Sequence, residues 1–209
     1  MMKEKQRWIA ATTALVAVVL LSACAGKSPP VDFYTLSAAV PSADASAAGT
    51  PCSDTVIAIG PVNWPRYLDQ PRIVTRTGPN RLGFDEFHRW AGSLSDNFER
   101  VLIKNLAGQL QSELLVSSRR SARFNPAYRV ELVIEQFDGQ LGGEVILDAK
   151  WVIAPTASGK PDSIHSTTLR ETTTGADYDA LVSASSRATA RLGQAIAAEL
   201  SNVCPAARD

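Results

Sequence analysis

The chain has 209 residues with 21 basic and 21 acidic side chains, so its formal net charge at neutral pH is zero. A near-neutral chain without a basic stripe offers no electrostatic basis for binding nucleic acid. The length suits one domain with a substantial core, since it is close to the usual range of about 100 to 200 residues per domain.

The amino-terminal segment is typical of a secretory signal peptide. Three basic residues among the first seven precede an apolar run over residues 8–21, and Leu-Ser-Ala-Cys follows, ending at Cys24. The apolar run is shorter than the ~20 residues that a membrane-spanning helix needs. We therefore expect residues 1–23 to be removed. Their loss takes away three basic residues and one acidic residue, so the formal charge changes from 0 to −2.

Residues 21–24 resemble the lipobox of bacterial lipoproteins, in which a cysteine thiol receives a diacylglyceryl group and becomes the new amino terminus. We therefore expect Cys24 to bear diacylglyceryl and N-acyl lipid, with no separate cofactor. The alternatives are an ordinary signal peptide with an incidental cysteine, or an uncleaved anchor. Each buried lipid CH₂ contributes about 0.8 kcal/mol, so several acyl chains together keep the protein on a membrane.

The residue after the lipidated cysteine bears on which membrane holds the protein. In proteobacterial sorting an Asp at this position tends to retain a lipoprotein at the inner membrane, whereas this chain has Ala25. We therefore expect a lipid-anchored protein on the periplasmic face of the outer membrane, with the inner membrane as the alternative. Residues 24–31 form a tether of at most roughly 25 Å at about 3.5 Å per residue. The remaining residues, 32–209, form the predicted periplasmic domain.

Two further cysteines, Cys52 and Cys204, remain after lipidation. An even pair in an oxidising compartment favours a disulfide. It would close a loop of about 150 residues, for which the chain-entropy model gives about 5 kcal/mol before strain. A redox or metal pair is the alternative. It is disfavoured because there is no CxxC spacing, and the two histidines, His88 and His165, lack ligands at suitable spacing, so we expect no metal site.

The sequence of the first half of the domain predicts short strands separated by loops. Residues 32–37 are predicted to form the first strand. The Ala/Ser/Pro-rich composition of residues 38–51 predicts a mobile surface loop. The apolar run 55–59 predicts a buried strand that Gly60-Pro61 stops. Two further strands follow. They span residues 72–77 and 81–87, on either side of the Gly78-Pro79-Asn80 turn.

Apolar residues then recur at helical spacing after Ser93 and Ser95, either of which can cap the helix. This helix should end near Ser112, before a short strand at residues 114–117. Its predicted buried stripe consists of Leu94, Phe98, Leu102, Leu106 and Leu110.

Alternating apolar and polar residues predict the last strands. They begin at Tyr128 and Val145, are joined by a glycine-rich hairpin, and are followed by a Thr-rich strand at residues 163–173. Asp177 should cap a long Ala-rich helix that closes the chain. The expected fold is α/β: a mixed, largely antiparallel β-sheet packed with two main α-helices in a single periplasmic domain.

Several short motifs occur together in this chain. They are Ile59-Gly60-Pro61-Val62, the block Pro65-Arg66-Tyr67-Leu68-Asp69-Gln70-Pro71-Arg72-Ile73-Val74, Trp90-Ala91, Leu94 with Arg100-Val101-Leu102, Tyr34-Thr35-Leu36, and Asp177-Tyr178 with Leu181-Val182. The Tyr-Leu-Asp-x-Pro block followed by Trp-Ala is specific enough to point to a protein family. With these motifs the chain resembles the PqiC-type auxiliary lipoproteins of ABC-type and MCE intermembrane lipid transport systems, over nearly the whole mature chain.

The resemblance implies a non-catalytic periplasmic domain at the outer-membrane end of a lipid path, where it supports membrane integrity. As partners it implies a periplasm-spanning MCE-domain protein, the inner-membrane transport complex of that protein, and outer-membrane lipids. It also implies a homo-oligomer, for example a ring. Composition and spacing by themselves indicate only a tethered periplasmic domain, which agrees with these expectations.

Residues 65–71 form a proline-stiffened loop, and a stiff loop loses little conformational entropy on binding. Its candidate partner-docking residues are Pro65, Tyr67, Leu68, Asp69 and Pro71. The alternative is that the Tyr67 side chain folds back on the core and Asp69 starts a turn. We expect Trp90 to pack in the core rather than to contact lipid.

One basic cluster, Arg119, Arg120 and Arg123, stands out in the domain. A solvated loop is the favoured interpretation of such a cluster. The alternative is contact with anionic lipid headgroups, worth ~1 kcal/mol per charge near a membrane.

The sequence contains no G-x-S-x-G, P-loop or H-E-x-x-H motif, and its two histidines leave few routes to hydrolytic chemistry. We therefore predict that the protein is not an enzyme. Two alternative functions remain. One is a periplasmic lipid carrier that holds an acyl chain itself, for which a continuous apolar cavity would be the signature. The other is a purely structural envelope lipoprotein.

Overall fold

The computed structural model describes residues 29–39, 52–159 and 164–204. The predicted signal peptide, Cys24 and most of the predicted tether lie outside the described residues. From Val31 onward the chain forms a compact unit of its own, and the described part of it contains one eight-stranded sheet and two long helices. The predicted fold class is confirmed.

The sheet contains β1 (Asp32–Tyr34), β2 (Ile57–Asn63), β3 (Arg72–Gly78), β4 (Arg81–Trp90), β5 (Leu115–Ser117), β6 (Tyr128–Gly139), β7 (Glu144–Pro155) and β8 (Ile164–Thr172). The helices are α1 (Leu94–Leu110) and α2 (Tyr178–Val203). Two short 3₁₀ helices span Arg66–Leu68 and Ser118–Arg123.

Strand β6 is the centre of the sheet. Along one edge it pairs antiparallel with β7, which pairs antiparallel with β8, so these three strands form the predicted meander. Along its other edge β6 pairs parallel with β2 and, at Gly139, with β3. Strand β5 lies outside β2, while β4 and then β1 lie outside β3. The longest ladders are antiparallel, as expected.

Both helices pack against each other and against the sheet, α1 over β2 and β5 and α2 over β6, β7 and β8. The first begins at Ser93, one of the two predicted caps, and the second at the predicted cap Asp177. The Ser93 Oγ accepts a hydrogen bond from the Asp96 backbone N–H (3.2 Å), and the Asp177 Oδ1 accepts one from the Ala180 backbone N–H (2.7 Å). The helices approach closely at Gly193, where an added Cβ would lie 3.2 Å from the Cβ of Asn105.

The predicted end of the second strand is wrong. Gly60-Pro61 does not stop β2, which continues to Asn63. The register with β6 shifts between Ile59 and Val62, so Gly60 and Pro61 have no paired residue on β6. Pairing can skip Pro61 without losing a hydrogen bond donated by this residue, because proline has no N–H to donate. Gly60 adopts a φ of +101°, which glycine tolerates and other residues rarely do.

The first strand is also shorter than predicted, because the two helices replace the sheet as its hydrogen-bonding partners. After Tyr34, the Leu36 N–H donates to the Asn97 Oδ1 (2.7 Å) and the Ala39 N–H donates to the Asn105 Oδ1 (2.9 Å). The Ser37 N–H donates to the Ser186 Oγ on α2 (3.1 Å), so residues 35–39 are bonded to both helices instead of extending the strand. The rest of the predicted mobile loop, residues 40–51, lies outside the described residues.

A disulfide joins Cys52 to Cys204, with Cα atoms 5.3 Å apart. Both residues are buried. Cys52 lies shortly before β2, and Cys204 directly follows α2. The bond therefore ties the end of the last helix to the part of the chain that leads into the first buried strand.

Candidate partner-docking site

The loop at residues 65–71, hereafter the docking loop, connects β2 to β3 through the 3₁₀ turn Arg66–Leu68. The Leu68 N–H donates to the Pro65 carbonyl (3.0 Å), and the Asp69 N–H donates to the Arg66 carbonyl (3.1 Å). At its end, the Pro71 carbonyl accepts a hydrogen bond of 2.7 Å from the backbone of β4. The backbone of the loop is thus fixed within itself and against the sheet.

Tyr67 fixes the loop to the centre of the sheet through Asp138, near the end of β6. The Tyr67 hydroxyl donates to the Asp138 Oδ2 (2.8 Å). Arg76 on β3 binds both carboxylate oxygens, with Nε 2.8 Å from Oδ1 and Nη2 2.9 Å from Oδ2. The Gln136 Nε2 donates to Oδ1 at 3.0 Å. The Asp138 side chain is fully buried, so these donors replace the water that it has lost.

The electrostatics of this cluster keep Tyr67 as a hydrogen-bond donor. Burial raises the pKa of the Tyr67 hydroxyl far above its usual value, and the hydrogen bond and negative charge of Asp138 raise it further. The hydrogen bond to Asp138 likewise raises the pKa of Arg76. Neutral tyrosine and charged arginine are therefore the forms that hold the loop at neutral pH.

The structure places the five predicted docking residues in two groups. Tyr67 is half-buried on Asp138 and Leu68 is buried, so the predicted alternative in which Tyr67 folds back on the core is the one observed. Asp69 and Pro71 are exposed, and Pro65 is half-buried. The inward residues fix the loop, whereas Asp69 and Pro71 face solvent.

A surface pocket of about 500 Å³ separates the docking loop from the start of α1. Trp64, Arg66 and Asp69 line one side, and Gly92 and Ser95 line the other. This pocket adds a concave feature to the exposed side of the loop.

Trp64 lines this pocket and also packs against the hydrophobic core. Its ring makes edge contacts with Phe98 and Phe137, at centroid distances of 5.0 and 5.9 Å. Its buried indole N–H has no hydrogen-bond acceptor among the described residues.

Sequence reasoning missed Asp138, Arg76 and Gln136 as the residues that support the loop. Hydrophobic alternation identifies apolar positions and says nothing about a buried carboxylate. The alternation also changes phase in β6, where the register with β7 shifts between Ile134 and Gln136. The available signal was Tyr67 itself, since a buried tyrosine hydroxyl requires a hydrogen-bond partner.

Trp90 and the basic cluster were also considered as candidate site residues. Trp90 is buried, as predicted, and its backbone N–H donates to the Pro71 carbonyl. All three arginines of the basic cluster, Arg119, Arg120 and Arg123, are exposed. Arg119 forms ion pairs with Asp96 (2.6 Å) and Glu99 (3.1 Å).

The two histidines pack separately. The His88 ring stacks on Tyr178 at a centroid distance of 3.9 Å, and the His165 ring stacks on Trp151 at 4.1 Å. Across residues 29–39, 52–159 and 164–204, no three His, Cys, Asp or Glu side chains converge in a way that could hold a metal ion. In the same residues no helix is long and apolar enough to cross a membrane.

Comparison with known families gives one match that covers most of the chain. The model of the ABC-type transport auxiliary lipoprotein component matches residues 34–197. No curated protein matches the chain.

Solved structures share the fold at low sequence identity. The crystal structure of an uncharacterized protein aligns with a TM-score of 0.67 and 18% identity, covering 82% of this chain and 99% of the other. Protein XCC0632 from Xanthomonas campestris, described as DUF330, aligns with a TM-score of 0.66 and 15% identity, covering 80% of this chain and 93% of the other. These similarities establish a shared fold.

Proposed function

Because the chain belongs to the family of ABC-type transport auxiliary lipoprotein components, we propose that it docks the MCE-domain partner of an intermembrane lipid transport system at the outer membrane. It acts there as a non-catalytic component that supports membrane integrity. Diacylglyceryl and N-acyl lipid on Cys24 hold it to the periplasmic face, and it uses no cofactor. A homo-oligomer, for example a ring, is part of this proposal.

The observation that supports a docking role is the rigidity of the docking loop. Its backbone is fixed by internal turns and by β4, and Tyr67 is held on buried Asp138. A partner that contacts exposed Asp69 and Pro71 would meet a surface already in its final shape, so little conformational entropy would be lost on association.

Site-specific photocrosslinking in cells tests this assignment. A photoreactive amino acid replaces Asp69 in the lipidated protein, and the same amino acid replaces Ser166 in a control. Both positions are exposed, but Ser166 lies on the edge strand β8, on the opposite side of β6 from β3. Crosslinked products are purified from membranes and identified by mass spectrometry.

We expect an MCE-domain protein to be crosslinked from position 69 and not from position 166. Equal crosslinking from both positions would remove the docking loop from the proposal. Absence of any MCE-domain protein from both samples, and from an affinity purification of the crosslinked wild-type protein, would contradict the proposed function itself.

A further inference from the structure

A second concave surface lies between α1 and the edge of the sheet at β5, hereafter the α1–β5 groove. Its volume is about 610 Å³, within the roughly 300–1,000 Å³ typical of small-molecule sites. Ile103, Val116 and Phe124 provide its apolar lining. The Phe124 side chain is the most exposed of these, with 52% of the residue accessible, although it is a large apolar residue.

Cationic side chains surround this apolar lining. Arg100, Lys104, Arg119 and Arg120 line the groove, against the two carboxylates of Asp96 and Glu99. Arg119 pairs with both carboxylates. The other three cations form no ion pair with any residue of the described ranges. An apolar surface bordered by uncompensated positive charge is complementary to an amphiphile with an anionic group.

The groove lies close to the part of the domain that follows the tether. Arg100 and Asp96 also line a smaller pocket of about 290 Å³ together with Tyr34 and Thr35. Tyr34 ends β1, which begins one residue after Val31. At about 3.3 Å per strand residue, the start of the domain at Val31 is therefore within about 10 Å of Tyr34, which shares this smaller pocket with two residues of the groove.

We propose that the α1–β5 groove binds an anionic phospholipid from the membrane that holds the lipid anchor. The acyl chain lies on Ile103, Val116 and Phe124, and the phosphate group lies among Arg100, Lys104 and Arg120. This site goes beyond the proposed docking function, since it requires membrane proximity but no MCE-domain partner.

The geometry favours a lipid over an extended acidic peptide. A peptide bound at a sheet edge gains affinity through main-chain hydrogen bonds to a strand. Here the edge strand, β5, has only three residues, Leu115–Ser117. A lipid needs no main-chain partners and uses only the apolar lining and the cations that the groove supplies.

Vesicle flotation of the mature domain without its lipid tests the proposal. The protein consists of residues 25–209, which include the whole compact unit from Val31 onward. Vesicles contain either phosphatidylcholine alone or phosphatidylcholine with phosphatidylglycerol. Two groove variants are compared with the parent: the double variant Arg100→Gln/Arg120→Gln, and Phe124→Ser. The control is Arg81→Gln/Arg170→Gln, which removes the same charge from exposed positions on β4 and β8.

We expect the parent to float only with the phosphatidylglycerol vesicles. At about 1 kcal/mol per cation, the double groove variant should bind them roughly tenfold to thirtyfold more weakly, whereas the control pair should bind like the parent. Phe124→Ser should also weaken binding, because it removes apolar contact without changing charge. Urea unfolding midpoints close to that of the parent show that the variants are folded.

Three results would overturn the lipid site: no flotation of the parent with phosphatidylglycerol, an equal loss in the groove and control pairs, or unchanged binding by Phe124→Ser. Another outcome is a parent that fails to float and instead captures an acidic segment of another protein at the groove. That result would also overturn the lipid site, because the segment would then be the occupant. The photocrosslinking from position 69 is a separate readout, so failure of the lipid site and failure of the docking function are distinguishable.

Discussion

The Asp138 carboxylate connects the docking loop to the framework, since it accepts hydrogen bonds from Tyr67 in the loop, Arg76 on β3 and Gln136 on β6. A buried carboxylate is costly unless its lone pairs are satisfied. The three donors meet this requirement only when the loop is in place. The shape of the loop is therefore coupled to the stability of the sheet.

Tyr67→Phe should reveal this coupling. The variant removes a hydrogen bond to a buried charged group, so we expect the free energy of unfolding to fall by about 1.5 to 3 kcal/mol. The matched control is Tyr128→Phe, whose hydroxyl donates to the neutral Val203 carbonyl at 2.9 Å, where the expected loss is about 0.5 to 1.5 kcal/mol. Urea unfolding followed by tryptophan fluorescence measures both. Equal losses would show that the charge of Asp138 adds nothing to the Tyr67 contact.

Helix α2 is held to strand β8 by a second carboxylate, Glu171. The Arg187 Nε and the Arg191 Nη1 lie 3.1 and 2.8 Å from its two oxygens. The arginines are four residues apart and therefore lie on the same face of the helix. Burial alone would raise the pKa of Glu171, but the hydrogen bonds and positive charges of Arg191 and Arg187 outweigh burial and hold it below its usual value.

This depressed pKa predicts a dependence of stability on pH. A carboxylate with a lower pKa in the folded state stabilises fully above its unfolded-state pKa of about 4.3, and the contribution is lost as the pH falls through the folded-state value. We expect Glu171→Gln to reduce the free energy of unfolding by about 1 kcal/mol at pH 7, because the arginines are half-exposed. The difference from wild type should shrink over the acid range below about pH 4.3. A difference that is constant over this range would contradict the ion-pair assignment.

How far the sequence predicts the structure depends on the type of interaction. Hydrophobic periodicity and caps identify both helices and the β6–β7–β8 meander, because each signal is local. The continuation of β2 past Gly60-Pro61 depends on pairing with β6, which is distant in the chain. Similarly, Leu36 leaves the sheet because Asn97 offers it an acceptor. The residues of the docking loop are apparent in the sequence, whereas their support by Asp138 requires the folded molecule.

The disulfide acts on the whole domain, since it joins residues 152 positions apart. In the chain-entropy model its main effect is to restrict the unfolded chain. We expect Cys52→Ala/Cys204→Ala to fold to the same sheet and helices but to lose about 2 to 5 kcal/mol of unfolding free energy. Urea unfolding compares the variant with the wild-type domain, and the wild-type domain with and without reductant. Reduction should also shift the mobility of the wild-type domain on a denaturing gel. Free thiols at both positions in protein isolated from the periplasm would contradict this prediction.

Attachment to the membrane combines two contributions of unequal strength, the proposed lipid on Cys24 and the proposed groove. Stable anchoring needs more than one weak signal, and a few surface cations are screened by salt. We therefore expect Cys24→Ser, exported behind an ordinary cleavable signal peptide, to appear in the periplasmic extract after a high-salt wash with the same urea midpoint as the wild-type domain. The wild-type protein should stay in the membrane pellet under that wash. If the variant also stays in the pellet, the lipid on Cys24 is not what holds the protein, and the groove or a protein partner must supply the attachment.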